Sequence, residues 1–501
     1  MTAPDTPGRG SPDSHTLPRA PAFWTIAATT AALLAASSAP SPLYPVYQAE
    51  FGFSAITLTV IFAVYVFALM ASLLTVGRLS DYVGRRALVA GALAVEAVAM
   101  TLFLGADGVG WLVIARIVQG LATGAGIGVL GAYLLDLQPS DGSRLGSLAN
   151  TAAPTLGLGL GAIVTGLLVQ YAPHPTRLIF AILTALFVTL ALLTVALPET
   201  VQRVPGGLAA LRPQVAVPVR ATRAFAAAVP AMVATWSLGG LILSVGSSLL
   251  GTVFGQANHA VVGLVIGLFP ISAATASVLG RDVSPSSMSR IGSVILAAGT
   301  GLFLLSLGWS SIALFAAASI IAGAGFGSAF LGALRSVSQL AEPHQRAALV
   351  SAVYVVSYVA FSVPALVAGL LITHIGLKDT SFGYGGFVAL VAVGTLAFER
   401  LTTHALGRRP EDASLGRGQH LRPLRSARTM FLRFRPGSVA SVSLRGSRTA
   451  GSDKVRRDRS GFPRRCRWSR SWRGRLGARQ RNARRPPTGA GSGAPCTRGS
   501  A

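Results

Sequence analysis

Charge is scarce along most of this chain. Only 12% of the 501 residues are Asp, Glu, Lys or Arg, against about a quarter in an ordinary soluble protein. The mean hydropathy is +0.58, which excludes a string of soluble domains. Cysteine is nearly absent, and both copies, Cys466 and Cys496, lie near the far end of the chain, so no disulfide framework supports the fold. The seven histidines are scattered, and no Cys/His spacing reads as a metal site, so neither a metal nor any other cofactor is expected. No phosphate-binding loop of the Walker type is present, which leaves ATP-driven work without support. Gly124-x-Gly126-x-Gly128 sits inside an apolar run rather than at a strand-to-helix turn, so a dinucleotide site fails its context. No hydrolase, kinase or redox constellation is visible, and an enzyme is not expected.

What charge there is falls unevenly. The formal net charge is +26. Residues 401–501 carry 25 Lys and Arg against 4 Asp and Glu, whereas residues 1–400 carry 18 against 13. The basic tail is rich in Arg, Gly, Ser, Ala and Pro and has no apolar period able to build a core. Three readings fit it: a disordered segment drawn to anionic lipid headgroups, a non-specific nucleic-acid binder, or the product of a GC-rich gene read out of frame. None makes it the seat of the main activity, and no specific nucleic-acid partner is expected.

Between these extremes the sequence is a succession of apolar runs, each near the ~20 residues that cross a bilayer. They lie at about 22–40, 56–76, 87–105, 109–134, 146–171, 177–197, 224–250, 258–279, 290–308, 310–333, 347–373 and 381–398. Twelve spans with an inside N-terminus put fifteen arginines on one side and only Arg177 and Lys378 on the other. Such a bias places the Arg-rich side, with both termini, in the cytoplasm, and the plasma membrane is the expected location. Pro40, Pro42 and Pro45, with Tyr44 and Tyr47, read as an irregular aromatic outer end to the first span. The chain also repeats: Gly124-Ala125-Gly126-Ile127-Gly128 returns as Gly323-Ala324-Gly325-Phe326-Gly327. Gly77-Arg78 is echoed by Gly280-Arg281 and Arg144 by Arg346, all at offsets near 200 residues. The reading is an all-α integral membrane protein of two related six-helix halves. Its parts are a disordered leader (1–21), a first half (22–197), a polar linker (198–223), a second half (224–400) and the tail (401–501).

The turn between the second and third runs reads Gly77-Arg78-Leu79-Ser80-Asp81-Tyr82-Val83-Gly84-Arg85-Arg86. It resembles the signature loop of the major facilitator superfamily, G-x-L-A-D-R-x-G-R-R, with Ser80 and Tyr82 as departures. Arg116-x-x-Gln119-Gly120 resembles the superfamily's R-x-x-Q-G motif. Ala153-Pro154-x-x-Gly157, followed by Gly161, loosely matches the G-P-x-x-G motif of its antiporters. The resemblance implies twelve transmembrane helices in two pseudo-symmetric halves, working by alternating access. It further implies that Asp81, with Gly77, Arg78, Gly84, Arg85 and Arg86 around it, helps hold the cytoplasmic ends together in the outward-facing state. Pro154 bends its helix, and Gly157 and Gly161 permit close packing.

Two intramembrane charges invite chemistry. Glu96 is the one acidic residue deep in a span, and Arg116 lies in the next. An ionised carboxylate there is costly unless paired. Antiparallel neighbours could bring Glu96 to Arg116 and Gln119 as an ion pair that separates on protonation and couples proton movement to the swing of the halves. The bland alternatives are a Glu hydrogen-bonded for structure and an Arg that snorkels to the outer surface. Tyr65, Asn150, Trp236, Tyr354 and Tyr358 are candidates to line a midplane cavity. With so few charges in the spans, a neutral or amphipathic solute fits better than a dianion. The function expected is proton-coupled export of a small organic compound by a monomer in the lipid bilayer. A solute–proton symporter is the second reading and a non-transporting sensor or scaffold the third.

Overall fold

The computed structural model describes residues 16–407, apart from 78, 140–144, 203–204, 206 and 208–210. Arg78, Arg144, Arg203, most of the leader and the tail from residue 408 thus lie outside the described residues. Among the described residues the chain is helical with no strands. Twelve helices are long. They are α1 (Arg19–Ser38), α2 (Ala55–Val76), α3 (Arg85–Leu104), α4 (Val109–Asp136), α5 (Leu145–Tyr171) and α6 (Pro175–Leu193). Then follow α7 (Thr222–Thr252), α8 (His259–Leu279), α9 (Pro285–Trp309), α10 (Ile312–Ser338), α11 (Arg346–Ile375) and α12 (Leu377–Gly407). The first eleven are long and apolar enough to cross a membrane. Each sits within a few residues of its apolar run, because in hydrocarbon a helix alone satisfies its own backbone.

Boundaries move where local chemistry overrides hydropathy. Helix α1 begins at Arg19, inside the expected leader, and α12 runs through residue 400 to Gly407. The Pro-rich outer end of the first span is not irregular throughout. Tyr44–Phe51 forms a two-turn helix with Pro45 in its first turn, where a missing N–H costs nothing, and Gly52 ends it at φ 65°. Tyr44 and Tyr47 face inward and are buried.

The repeat seen in the sequence is carried through in the packing. In the first six helices, α1 packs on α4 and α5, α4 on α2 and α3, and α3 on α6. In the second six, α7 packs on α10 and α11, α10 on α8 and α9, and α9 on α12, the same scheme shifted by six. The two sets meet through α2 with α11 and α5 with α8, pairings that interchange under that shift. Helix α5 has two small-residue faces. Gly157 and Gly161 lie against the backbone of Ala31 and Ala35 in α1, while Gly159 and Gly166 lie against Gly267 and Gly263 of α8. Close backbone approach is what holds membrane helices together when lipid supplies no hydrophobic drive between them.

Four direct hydrogen bonds join the sets at one end. Among the described residues they are Ser41 Oγ to the Leu243 carbonyl at 2.8 Å, Ser247 Oγ to the Ser41 carbonyl at 2.5 Å, Ser248 Oγ to Gln48 Oε1 at 3.2 Å and the His259 N–H to Gln170 Oε1 at 2.8 Å. All lie at the end away from the Arg-rich turns. There the bundle is closed.

A side chain at Gly161 has no room, since its Cβ would overlap the Ala35 carbonyl and Ser38 Oγ, whereas Gly301 faces open space. Gly161→Val is expected to destabilise the purified protein by about 1–3 kcal/mol, read as a lowered unfolding midpoint in detergent. Gly301→Ala should hold or raise the midpoint, and equal behaviour of the two variants would contradict the packing assigned to α5.

Candidate functional site

Three features of the sequence converge on three places: a turn at the Arg-rich end, a buried polar cluster, and a cavity between the two helix sets.

At the turn, Gly77 ends α2 with Gly128 of α4 packed against it. Gly84 takes φ 100°, a conformation glycine adopts without strain, and a Cβ there would also strike the Glu199 carboxylate. That carboxylate accepts from the backbone N–H of Arg85 at 2.9 Å and of Arg86 at 3.2 Å. It therefore caps the start of α3, where unsatisfied N–H groups and the helix dipole favour an anion. The Arg85 guanidinium joins Asp81 at 3.1 Å, Asp136 at 3.0 Å and Ser80 Oγ at 2.7 Å. Thr200 Oγ1 also donates to Asp136 at 2.9 Å. Asp81 keeps 57% of its side-chain surface exposed, and among the described residues its ion pair is with Arg85 of its own helix set. Sequence reasoning missed Glu199 and Asp136. Each is an acid at the end of an apolar run, and nothing local says that the chain returns it to the Gly84 turn.

The buried cluster is built on a defect in α1. Pro40 has no N–H to give the carbonyl four residues before it, and Ser41 N–H turns to the Ser38 carbonyl. The carbonyls of Ala36 and Ser37 are thus left over at the end of the helix. Helix α4 fills both. Gln119 Nε2 donates to Ala36 at 3.0 Å and Arg116 Nη1 to Ser37 at 3.1 Å. Arg116 also donates to Gln119 Oε1 at 2.8 Å and to Tyr44 Oη at 2.6 Å. The rings of Tyr65, Tyr44 and Phe103 surround its guanidinium with centroids at 5.1, 5.7 and 5.8 Å. Because Arg can only donate, Gln119 must turn its carbonyl to Arg116 and its amide away. That amide donates to Glu96 Oε1 at 3.2 Å, and Thr123 Oγ1 donates to Glu96 Oε2 at 3.4 Å. Glu96 and Arg116 are 0% and 1% exposed.

The bland alternative for Arg116 does not hold, since its side chain points across the bundle to acceptors on Ser37, Gln119 and Tyr44 rather than to the outer surface. Glu96 and Arg116 do not form an ion pair, because Gln119 stands between them and bonds to both.

The cavity, about 220 Å³, opens between the two sets and is lined by both. Tyr65, Asn150, Trp236, Tyr354 and Tyr358 all border it, as does Pro154. Tyr65 joins it to the buried cluster, donating through Oη to Ser37 Oγ at 2.8 Å. Among the described residues no Asp, Glu, Lys, Arg or His lines it, and no group of His, Cys, Asp and Glu could hold a metal ion.

Removing the charge from Arg116 strips donors from Ser37, Tyr44 and Gln119 at once. Arg116→Met is expected to destabilise the fold by about 3 kcal/mol or more, and Arg116→Lys by ~1–2 kcal/mol because an ammonium cannot reproduce the planar fork. Denaturant unfolding in detergent measures both, and two wild-type-like midpoints would contradict the network.

Comparison with known proteins accords with this geometry. No curated protein matches the sequence significantly. Among solved structures the chain resembles a mutant of the nucleoside transporter NupG, with a TM-score of 0.59 at 14% identity over 75% of this chain and 99% of that one. It also resembles the human organic anion transporter MFSD10 (TETRAN), with a TM-score of 0.57 at 16% identity over 76% of this chain and all of the other. These likenesses show the fold. The profile of the Major Facilitator Superfamily matches residues 26–293, more than half the chain. With the repeated six-helix packing, the signature turn and the cavity between the sets, the chain belongs to the Major Facilitator Superfamily, a multi-pass membrane transporter rather than an enzyme.

Proposed function

We propose that the protein exports a small organic compound across the plasma membrane in exchange for protons, as a monomer whose Arg-rich turns and termini face the cytoplasm. Residues 22–197 and 224–400 are the two moving halves and 198–223 the connector, with α12 as the twelfth span. The single observation that carries this reading is the position of the segment 37–41. Ser37 receives Arg116 from the Glu96 cluster and Tyr65 from the cavity wall, and four residues later Ser41 makes two of the bonds that close the outer end. One turn of chain thus joins the Arg116 end of the Glu96 network to the cavity and the closed outer end.

In this account the conformation described is inward-facing. Among the described residues Asp81 pairs within its own half, and its role in latching the cytoplasmic ends, with Gly77, Arg78, Gly84, Arg85 and Arg86, belongs to the outward-facing state. Glu96 is the proton-carrying group. Its two direct partners, Gln119 and Thr123, are neutral donors, so its charge is not locked by a cation. A proton on Glu96 turns one of its two accepting oxygens into a donor and weakens the other as an acceptor, so the bonds from Gln119 and Thr123 must rearrange, and Gln119 is the residue that bridges to Arg116 and to the last turn of α1. Rearrangement there loosens segment 37–41 and so the outer seam. Pro154, Gly157 and Gly161 let α5 follow α1 during the swing.

Inside-out vesicles with an acidic lumen test the proposal by proton release on addition of candidate compounds. Compound-dependent release is expected from the wild type. Asp81→Asn should abolish it at normal membrane levels, and Glu96→Gln should leave compound binding but remove the proton flux. Full proton-coupled transport by either variant would overturn the role given to that residue, and compound uptake into right-side-out vesicles would replace export by symport.

A further inference from the structure

The two sides of the cavity differ in chemistry, and the difference identifies what it holds. The second helix set contributes an aromatic wall centred on Trp236. Its ring lies 5.1 Å from Tyr358, 5.3 Å from Phe330, 5.5 Å from Phe361 and 5.8 Å from Phe326, with interplanar angles between 56° and 79°. Tyr354 stacks on Tyr358 at 5.8 Å, inclined by 19°. The first set adds Phe62, Tyr65 and aliphatic side chains to the apolar wall and supplies most of the hydroxyl groups and the one amide. Most of those hydroxyls are already spent on their own helix: Thr30, Ser37, Ser38, Thr151 and Thr155 each donate to a carbonyl three or four residues back. Asn150 differs, being exposed with no hydrogen bond through its amide among the described residues. Across the cavity the hydroxyls of Tyr354 and Tyr358 are likewise unengaged.

Charge narrows the class further. A cation would find the ring faces attractive, but among the described residues no carboxylate lines the cavity, and the Arg116 guanidinium lies 5.1 Å from the centre of the Tyr65 ring that forms part of its wall. An anion would find no Lys, Arg or His among the described residues of the wall and would lose its hydration without a partner. Rings set edge to face prefer another ring over an aliphatic body of equal size, because the quadrupoles match.

We propose, resting on the transport reading of this cavity, that its substrate is an uncharged, planar aromatic molecule. The ring lies against Trp236, Tyr358 and Phe361, and one hydrogen-bonding substituent is directed to Asn150.

The test uses the purified full chain in detergent and four probes of one shape: 2-naphthalenemethanol, its fully saturated decahydro analogue, 2-naphthoate and 2-naphthylmethyl-trimethylammonium. Equilibrium dialysis against protein-free micelles gives the affinities. The neutral aromatic alcohol is expected to bind at least about tenfold more tightly than each of the other three, tenfold being ~1.4 kcal/mol. Trp236→Leu should weaken the aromatic alcohol by about tenfold and leave the saturated one within about twofold. If that variant does not give a monodisperse protein, Phe330→Leu at the edge of the cluster carries the same comparison. Equal affinity for the saturated alcohol, tighter binding of either ion, or no saturable binding of the aromatic alcohol up to its solubility limit overturns the proposal. Counterflow in proteoliposomes separates the two readings. Movement of a non-aromatic solute alone keeps the transporter and removes the aromatic preference, whereas selective aromatic binding without any movement keeps the preference and removes transport.

Discussion

A guanidinium with no route to water sets the terms for the first six helices. In hydrocarbon a charged side chain must find acceptors within reach or be excluded, and Arg116 finds three, each on a different element. Ser37 belongs to the end of α1, Tyr44 to the short helix after it, and Gln119 to α4 itself. The acceptors on α1 exist because Pro40 withholds a donor, leaving carbonyls that carry the negative end of the helix dipole. A helix defect and a buried cation, each costly alone, satisfy one another. The product is a rigid junction of α1, α3 and α4 with Glu96 at its far side.

That junction also explains why the two sets of helices need not be held together throughout. Within each set the contacts are close and glycine-mediated. Between the sets the main crossings are α2 on α11 and α5 on α8, and four hydrogen bonds join the sets at the end away from the Arg-rich turns. At the opposite end the Gly84 turn spends its ions within its own set, on Asp81, Asp136 and Glu199. In the proposed mechanism, firm halves with a seam at one end are the two-state element, and the charge on Glu96 is what biases it.

Much of this was legible in the sequence because bilayers simplify the physics. Length and apolarity place the helices to within a few residues, and the arginine bias orders them. The returning Gly-Ala-Gly-x-Gly segment announces the repeat. The residues on one face of α4, Arg116, Gln119 and Thr123, are spaced by three or four, so their convergence follows from helix geometry. What was not legible depends on contacts between distant elements. Nothing in Pro198-Glu199-Thr200 says that its carboxylate caps α3, and nothing near Glu96 says that Gln119 rather than Arg116 will reach it first. The orphaned carbonyls of Ala36 and Ser37 are implied by Pro40, but their partners are not. The five cavity residues could be named as polar or aromatic side chains within spans. Only the packing gathers them around one space, with Phe330 and Phe361 beside them.

The claim on which the account turns is that the closed seam and the open Arg-rich end exchange. Val83 and Val283 are both partly exposed, one in each set at the Arg-rich end, and the two native cysteines can be replaced in the tail. Spin labels on Val83→Cys and Val283→Cys would report their separation by pulsed electron resonance in lipid discs. The account predicts two distance populations, with the longer one dominant when the seam is closed and the balance shifted by pH in wild type but not in Glu96→Gln. A single distance, unchanged across pH, would contradict it.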